Sequence, residues 1–472
     1  MVTTKTSRTR QAGPKLTRQH FETSRSLDFL SRKELIAQTG HQVREWPLVC
    51  LKELVDNALD ACEESGTAPV IDIEVDETSI TVIDNGPGIP ASVIESVLDF
   101  GVRVSSREAY VSPSRGAQGN ALKTVIAMPF ALAGHGVVTI ESRGCRHEIA
   151  VSVDRIKQEP RVSHQRRKSD RTEGTEITVE WPDKPSSIVA NGIAQILQNG
   201  DSAGEKPSSI LGSAKDRFLQ IAEDYCWLNP HLTLSVGWIR GGTVVDDVRV
   251  TASDPCWSKW SPSNPTDPHW YGVDEMERLI AANVSHSDRL VREFVSEFRG
   301  LSGSAKQKRV IEASGLVRAR LSDLVVDAEI DKAAANKLLR AMQSETKPVK
   351  AQSLGVVGRA HLSALCQRAG GDPDTFAYKK VTGNENGLPW VIETCFAYCP
   401  KEDRPRRIIP GVNWSPGIIN PFRQLGKNGV SLDSVLQEQR TGRDEPTVLV
   451  LHIACPRVRY ADRGKSSVIV ED

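Results

Sequence analysis

The sequence predicts an α+β protein of several domains, and three observations carry that expectation. Amphipathic helices and alternating strands interleave through the first half, residues 273–345 are helical in pattern throughout, and strand-like runs return after residue 388. At 472 residues there is room for roughly three domains. The 39% hydrophobic content suffices for ordinary cores, and 60 basic and 60 acidic residues cancel, so no global field advertises nucleic acid or membrane. No run approaches the ~18 apolar residues of a spanning helix, and the amino terminus is basic and polar rather than signal-like. A cytoplasmic protein with no membrane partner is expected. The nine cysteines lack paired spacing and read as reduced, mostly buried thiols rather than zinc or disulfide sites.

Residues 1–21 form a basic tail, with Lys5, Arg8, Arg10, Lys15 and Arg18, expected to be disordered. Leu27 to Leu35 reads as a short helix. The stretch 47–64 follows as a longer one, opened by Pro47, a residue suited to a first turn. At about 100° per residue, Leu48, Leu51, Val55, Ala58, Leu59 and Cys62 fill one arc, while Glu53, Asp56, Asn57 and Asp60 fill the other. Taken alone this is an amphipathic helix with a wet acidic face. Three carboxylates in one patch nevertheless repel one another unless a cation or a positive group arrives.

Val70 to Val75 alternates, Asp76-Glu77-Thr78 turns, and Ser79 to Ile83 returns as a second strand ending in Asp84-Asn85-Gly86-Pro87-Gly88-Ile89-Pro90. Two glycines and two prolines this close force a tight turn and leave backbone open to a flat ligand. Beyond a helix and a polar stretch at 91–110, Arg115-Gly116-Ala117-Gln118-Gly119-Asn120-Ala121-Leu122-Lys123-Thr124 leads into an apolar helix, Val125 to Ala133. A glycine loop feeding a helix start presents unpaired N–H groups and the positive end of the dipole, an arrangement that binds phosphate. An ordinary flexible loop reads equally well.

Strands are expected at Gly136 to Ser142, Glu148 to Val153 and Thr175 to Trp181, with Asp154 to Glu173 between the last two as a solvated charged loop. Ala214 to Trp227 reads as a helix and Leu232 to Trp238 as a strand. Four prolines and three tryptophans within 252–271 suggest an ordered connector. The helical block is broken at 300–303 and near Gly315. Strand-like runs at Trp390 to Tyr398 and Thr447 to Cys455 flank a Pro/Gly/Asn segment.

In this order the motifs resemble the GHKL ATPase superfamily of gyrase, heat-shock chaperones, histidine kinases and MutL. Glu53 to Ala61 is similar to its Glu-x-x-x-Asn-Ala-x-Asp-Ala motif, Asp84 to Gly88 to its adenine-binding Asp-x-Gly-x-Gly, Arg115 to Lys123 to its lid, and Gly174-Thr175 to the Gly-Thr that closes the site. Later stretches, from Tyr225 to His231, Pro268 to Val273, Leu338 to Gln343 and Leu354 to Gly358, look like the B subunit of type IIB DNA topoisomerase (topoisomerase VI).

The resemblance implies a GHKL (Bergerat) α/β sandwich ATPase domain at 22–240 and a connector at 241–272. It further implies a helix-two-turns-helix domain at 273–362 and a truncated, α/β transducer-like domain at 363–472. The cofactors implied are ATP and Mg2+. Glu53 is expected as the base that activates water, Asn57 as the magnesium ligand, and Asp84 as the adenine acceptor braced by Thr175, beside Gly86 and Gly88. Gly116, Gln118, Gly119, Asn120, Ala121 and Leu122 would wrap the phosphates. Lys123 and, from the last domain, Lys465 would offset charge on the γ-phosphate. Implied partners are DNA, a topoisomerase VI A-like DNA-cleaving subunit, and a second copy in an ATP-dependent homodimer.

Two departures bear on this expectation. Ala121 replaces the family's last lid glycine, which tightens backbone approach to phosphate. Only seven residues follow Lys465, where the family continues into a helix that docks the A subunit. Two alternatives therefore stay open: an ATP-gated DNA clamp or remodeller of MutL-like or microrchidia-like type that does not cleave DNA, and a non-hydrolysing nucleotide-sensing scaffold.

Overall fold

A computed structural model describes residues 30–99, 110–115, 121–154, 159–181, 183, 206–401, 404–425, 430–461 and 467–469. Gly116, Gln118, Gly119, Asn120 and Lys465 lie outside the described residues.

The first half is organised on an eight-stranded sheet. In chain order its strands are β1 (Val70–Val75), β2 (Ser79–Asp84), β3 (Val137–Ser142), β4 (Cys145–Asp154), β5 (Glu159–Lys168), β6 (Thr175–Glu180), β7 (Thr233–Arg240) and β8 (Thr243–Val250). Their spatial order is β5–β4–β3–β6–β2–β1–β7–β8. Only β1 and β7 pair in parallel; the remaining neighbours are antiparallel. Period-two alternation buries Ile71, Ile73, Val75, Ile80 and Val82. They join one apolar cluster with helices α1 (Arg32–Thr39), α2 (Trp46–Ser65), α3 (Ala91–Val97), α4 (Ala121–Ala133), α5 (Pro207–Ser213) and α6 (Lys215–Leu228).

Three expectations change. The helix assigned to Leu27–Leu35 is α1, and it starts where the Ser31 hydroxyl accepts the Glu34 N–H at 3.1 Å. The cap rather than the leucine pattern sets that boundary. The charged stretch read as a solvated loop contains β5, paired with β4 along its whole length. As an edge strand it tolerates arginine on its open side, which hides the alternation. The first sheet also runs past residue 240 into β8.

The middle of the chain holds α7 (Val273–His286), α8 (Val291–Ser296), α9 (Ser304–Ser314), a small hairpin of β9 (Val325–Val326) and β10 (Glu329–Ile330), α10 (Lys332–Ser344) and α11 (Arg359–Arg368). Then come β11 (Ala377–Glu385), β12 (Leu388–Tyr398), β13 (Arg407–Val412), β14 (Ser415–Pro416), the hairpin β15 (Gln424–Leu425) and β16 (Val430–Ser431), α12 (Leu432–Glu438) and β17 (Thr447–Ala454). The second sheet runs β11–β12–β17–β13–β14, with β13 and β17 parallel. Trp260 and Trp270 of the connector, Phe294 and Leu338 of the helical block, and Val391 and Val450 of this sheet belong to one buried cluster. The connector is therefore core. The Trp260 N–H donates to Leu354 O at 2.8 Å, and its ring meets that of Trp270 edge-on at 5.0 Å. No helix among the described residues is long and apolar enough to cross a membrane.

Candidate functional site

Helix α2 is buried on nearly every side, which corrects the simple division into apolar and wet arcs. Asp56 and Asp60 are buried at 5% and 3% exposure. Asp56 takes the Lys52 ammonium at 2.9 Å, the Tyr225 hydroxyl at 2.8 Å and the Ser415 hydroxyl at 2.8 Å. Burial would raise its carboxyl, but Lys52, Arg115 and these hydrogen bonds hold it below the usual range. Asp60 pairs with Arg115 at 2.7 Å. The repulsion expected among these carboxylates is met by Lys52 of the same helix and by Arg115 from another segment.

One turn on, Glu63 is the centre of a buried cluster. Arg115 grips both of its oxygens at 2.7 and 2.6 Å, Lys259 of the connector lies 2.8 Å away, and His231 is at 3.0 Å. Arg115 and Lys259 overcome the effect of burial and hold the Glu63 carboxyl well below its ordinary value. The Lys259 ammonium also sits 5.1 Å over the Trp414 ring, so α2, the connector and the C-terminal domain meet here. The Lys52–Asp56 pair lies within α2 at an i,i+4 spacing, whereas none of Arg115, Tyr225, His231, Lys259 or Ser415 stood out in sequence as a partner of α2, beyond the lid-like motif beginning at Arg115 and the Tyr225–His231 stretch.

Glu53, half-buried, and Asn57, exposed, stand one helical turn apart on α2. The turn at the end of β2 lies beside the next turn of the same helix. A Cβ on Gly86 would meet Cys62 Sγ at 3.3 Å and Ala61 Cβ at 3.6 Å, and Asp84 Oδ1 at 3.0 Å. Asp84 Oδ1 accepts the Gly86 N–H at 2.8 Å and the Thr175 N–H at 3.2 Å. Burial pushes the Asp84 carboxyl up, and those two N–H donors oppose it. The turn is fixed from behind: Gly174 N–H donates to Gly86 O at 3.0 Å, Ser142 Oγ accepts the Ile89 N–H at 2.7 Å, and Arg143 Nε donates to Pro87 O at 3.0 Å. Gly88 and Gly174 have φ of +75° and +70°, and a Cβ on either would strike Ser142 Oγ at 2.6 Å or Asp84 O at 2.0 Å.

Arg115, which precedes residues 116–120, is pinned to α2, and α4, which follows them, packs on α2. Ala121 and Leu122 are the first two residues of α4. Lys123 is turned inward: it is 1% exposed and its ammonium donates to Asp99 O at 2.5 Å. Burial lowers it below the ordinary lysine range.

The donor set suits a magnesium nucleotide. Asn57 offers a hard carboxamide oxygen, Glu53 a carboxylate one turn away, and Asp84 a shielded acceptor at the glycine turn.

Residues 43–185 match the model of the "Histidine kinase-, DNA gyrase B-, and HSP90-like ATPase" family. The chain is 24% identical over 441 residues to the B subunit of type 2 DNA topoisomerase 6 from Archaeoglobus fulgidus, an alignment that covers 89% of this chain and 66% of that protein. It is 34% identical over 145 residues to the corresponding protein of Natronomonas pharaonis, covering 28% of this chain and 18% of that one. Among solved structures, the ATPase region of Saccharomyces cerevisiae topoisomerase II is similar at 10% identity with a TM-score of 0.37, covering 90% of this chain and 77% of that one.

Proposed function

We propose that this chain, whose residues 43–185 match the histidine kinase-, DNA gyrase B- and HSP90-like ATPase model, is the ATP-binding and ATP-hydrolysing subunit of a topoisomerase VI-like complex. The observation that carries the reading is the seating of the Asp84–Gly88 turn against Ala61 and Cys62 of the helix that bears Glu53 and Asn57. The similarity to the B subunit of topoisomerase 6 over 89% of the chain supports its extension to the remaining domains.

In this reading Asp84 accepts the adenine amino group and Thr175 steadies it. Gly86 and Gly88 let the base lie on bare backbone. Glu53 orients and deprotonates the attacking water. Asn57 holds magnesium, which when bound offsets phosphate charge. Gly116, Gln118, Gly119, Asn120, Ala121 and Leu122 wrap the phosphates. Lys123 would leave the Asp99 carbonyl to reach them. Lys465 reports the phosphate state to the C-terminal domain. ATP then draws two copies into a homodimeric gate around DNA, with strand cleavage supplied by an A-like subunit.

Steady-state ATPase with and without duplex DNA tests the enzyme claim. Glu53→Ala should keep nucleotide binding and lose turnover by about 10²- to 10⁴-fold. Equal turnover in the variant removes Glu53 from the mechanism. Supercoil relaxation on adding an A-like subunit supports strand passage, whereas ATP-dependent DNA retention without relaxation supports a clamp.

A further inference from the structure

We infer that the cavity between α6 and the C-terminal domain is a second ligand site, separate from the nucleotide site and selective for a phosphate-bearing anion. Its volume is ≈ 650 Å³, within the ~300–1,000 Å³ of typical ligand pockets. Four guanidiniums line it: Arg217 from α6, and Arg406, Arg423 and Arg443 from the C-terminal domain. Asp433 is the one carboxylate among the lining residues.

That carboxylate is shared between Arg406, whose side chain is 6% exposed, and Arg443 at 2.8 Å. Arg217 donates to the neutral oxygens of Gln220 at 2.8 Å, Gly417 at 3.2 Å and Ile418 at 3.0 Å. Burial draws the Arg217 guanidinium below its ordinary range; Asp224 opposes this and Arg407 adds to it. Positive charge therefore exceeds negative charge within a partly enclosed space. An entering anion would relieve that excess.

The type of cation narrows the ligand. Every cationic side chain lining the cavity is an arginine, and guanidinium forks bind phosphate oxygens two at a time. A phosphate group brings about two negative charges and several acceptor oxygens, and the cavity has room for more than one such group. The same chemistry is offered by a free polyphosphate and by the backbone of a nucleic acid. Arg217 belongs to the first sheet's helices and the other three arginines to the second sheet's domain. A bound anion would thus bridge the joint that Arg217 already crosses to Gly417 and Ile418.

The test is calorimetric titration of inorganic pyrophosphate into the full chain, with and without a saturating non-hydrolysable ATP analogue. Binding should persist with the analogue present. It should weaken by about tenfold or more in the double variant Arg423→Gln/Arg443→Gln, which alters rim residues and should melt like the wild type. Arg406→Lys keeps the charge but loses the fork and should weaken binding as well. Duplex DNA that displaces pyrophosphate identifies backbone phosphate as the source; DNA that leaves it bound identifies a free polyphosphate. No pyrophosphate binding by the wild type, loss of binding in the presence of the analogue, or unchanged affinity in the double variant overturns the site. Failure of the nucleotide reading is seen separately, as an absence of analogue binding while the pyrophosphate signal stands.

Discussion

The Ser415 hydroxyl lies 2.8 Å from each carboxylate oxygen of Asp56, joining the second sheet to the helix that carries Glu53 and Asn57. Asp56 is adjacent to Asn57 in sequence and buried, so movement of β14 acts directly on the middle of α2. The contact is a hydrogen bond to an ionised group, which contributes about 1.5–3 kcal/mol. Ser415→Ala should lower unfolding stability by that amount in chemical denaturation. Lys52 and Tyr225 stay on Asp56, so the variant should still fold. A change below about 0.5 kcal/mol would show that the contact carries little.

Asp84→Asn tests the acceptor. The carboxamide keeps one oxygen for the Gly86 and Thr175 N–H groups but places an NH2 where the carboxylate would receive an amine. Affinity for ADP should fall by at least about tenfold, or ~1.4 kcal/mol, with the melting temperature of the unliganded protein little changed. Equilibrium titration with a fluorescent ADP measures both proteins. Equal affinity would exclude Asp84 from base recognition.

Gly174→Ala probes the support behind that turn. The residue has φ +70°, and a Cβ would come within 2.0 Å of Asp84 O, a main-chain atom with no freedom to swing aside. Strain of this kind costs of order 1–3 kcal/mol, and relieving it must displace Asp84. Stability and ADP binding should fall together. A variant that lost stability but bound ADP normally would separate the two.

The parts of the site that were legible in sequence are those encoded by neighbours in the chain. Asp84 to Gly88 announces its turn through glycine and proline, and Glu53 and Asn57 share a face because the helical period puts them there. The Glu63 cluster was hidden for the opposite reason. Arg115 is 52 residues from Glu63, and Lys259 lies in a different segment again, so only the tertiary fold selects these partners. β5 was obscured because Arg161, Arg166, Arg167 and Lys168 are exposed on both of its faces, which breaks the alternation. Lys123 shows a further limit. Its place after a glycine loop suggests phosphate contact, yet its ammonium rests on Asp99 O.

The Glu63 cluster makes stability depend on pH in two stages. Burial lowers the His231 pKa below the ordinary 6.5; Glu63 opposes the shift, and Arg115 and Lys259 add to it. The unfolded chain therefore takes up a proton near that value while the folded protein still resists it. Stability contributed by neutral His231 is full above the unfolded pKa and declines as pH falls through 6.5 toward the folded value. Glu63 behaves likewise from its own reference of 4.5, with stability lost further into acid as its depressed folded pKa is crossed. His231→Gln retains an amide donor for Glu63 but cannot titrate. Its unfolding free energy should fall less steeply than wild type between about pH 7 and about pH 5.5, the difference not exceeding ~1.4 kcal/mol per pH unit for one proton. His147, His164 and His361 are also held below their ordinary range, so part of the slope should persist. The decline below about pH 4.5 should be common to both proteins. Parallel profiles across the upper range, measured by urea unfolding at each pH, would mean that His231 titrates alike in the folded and unfolded states.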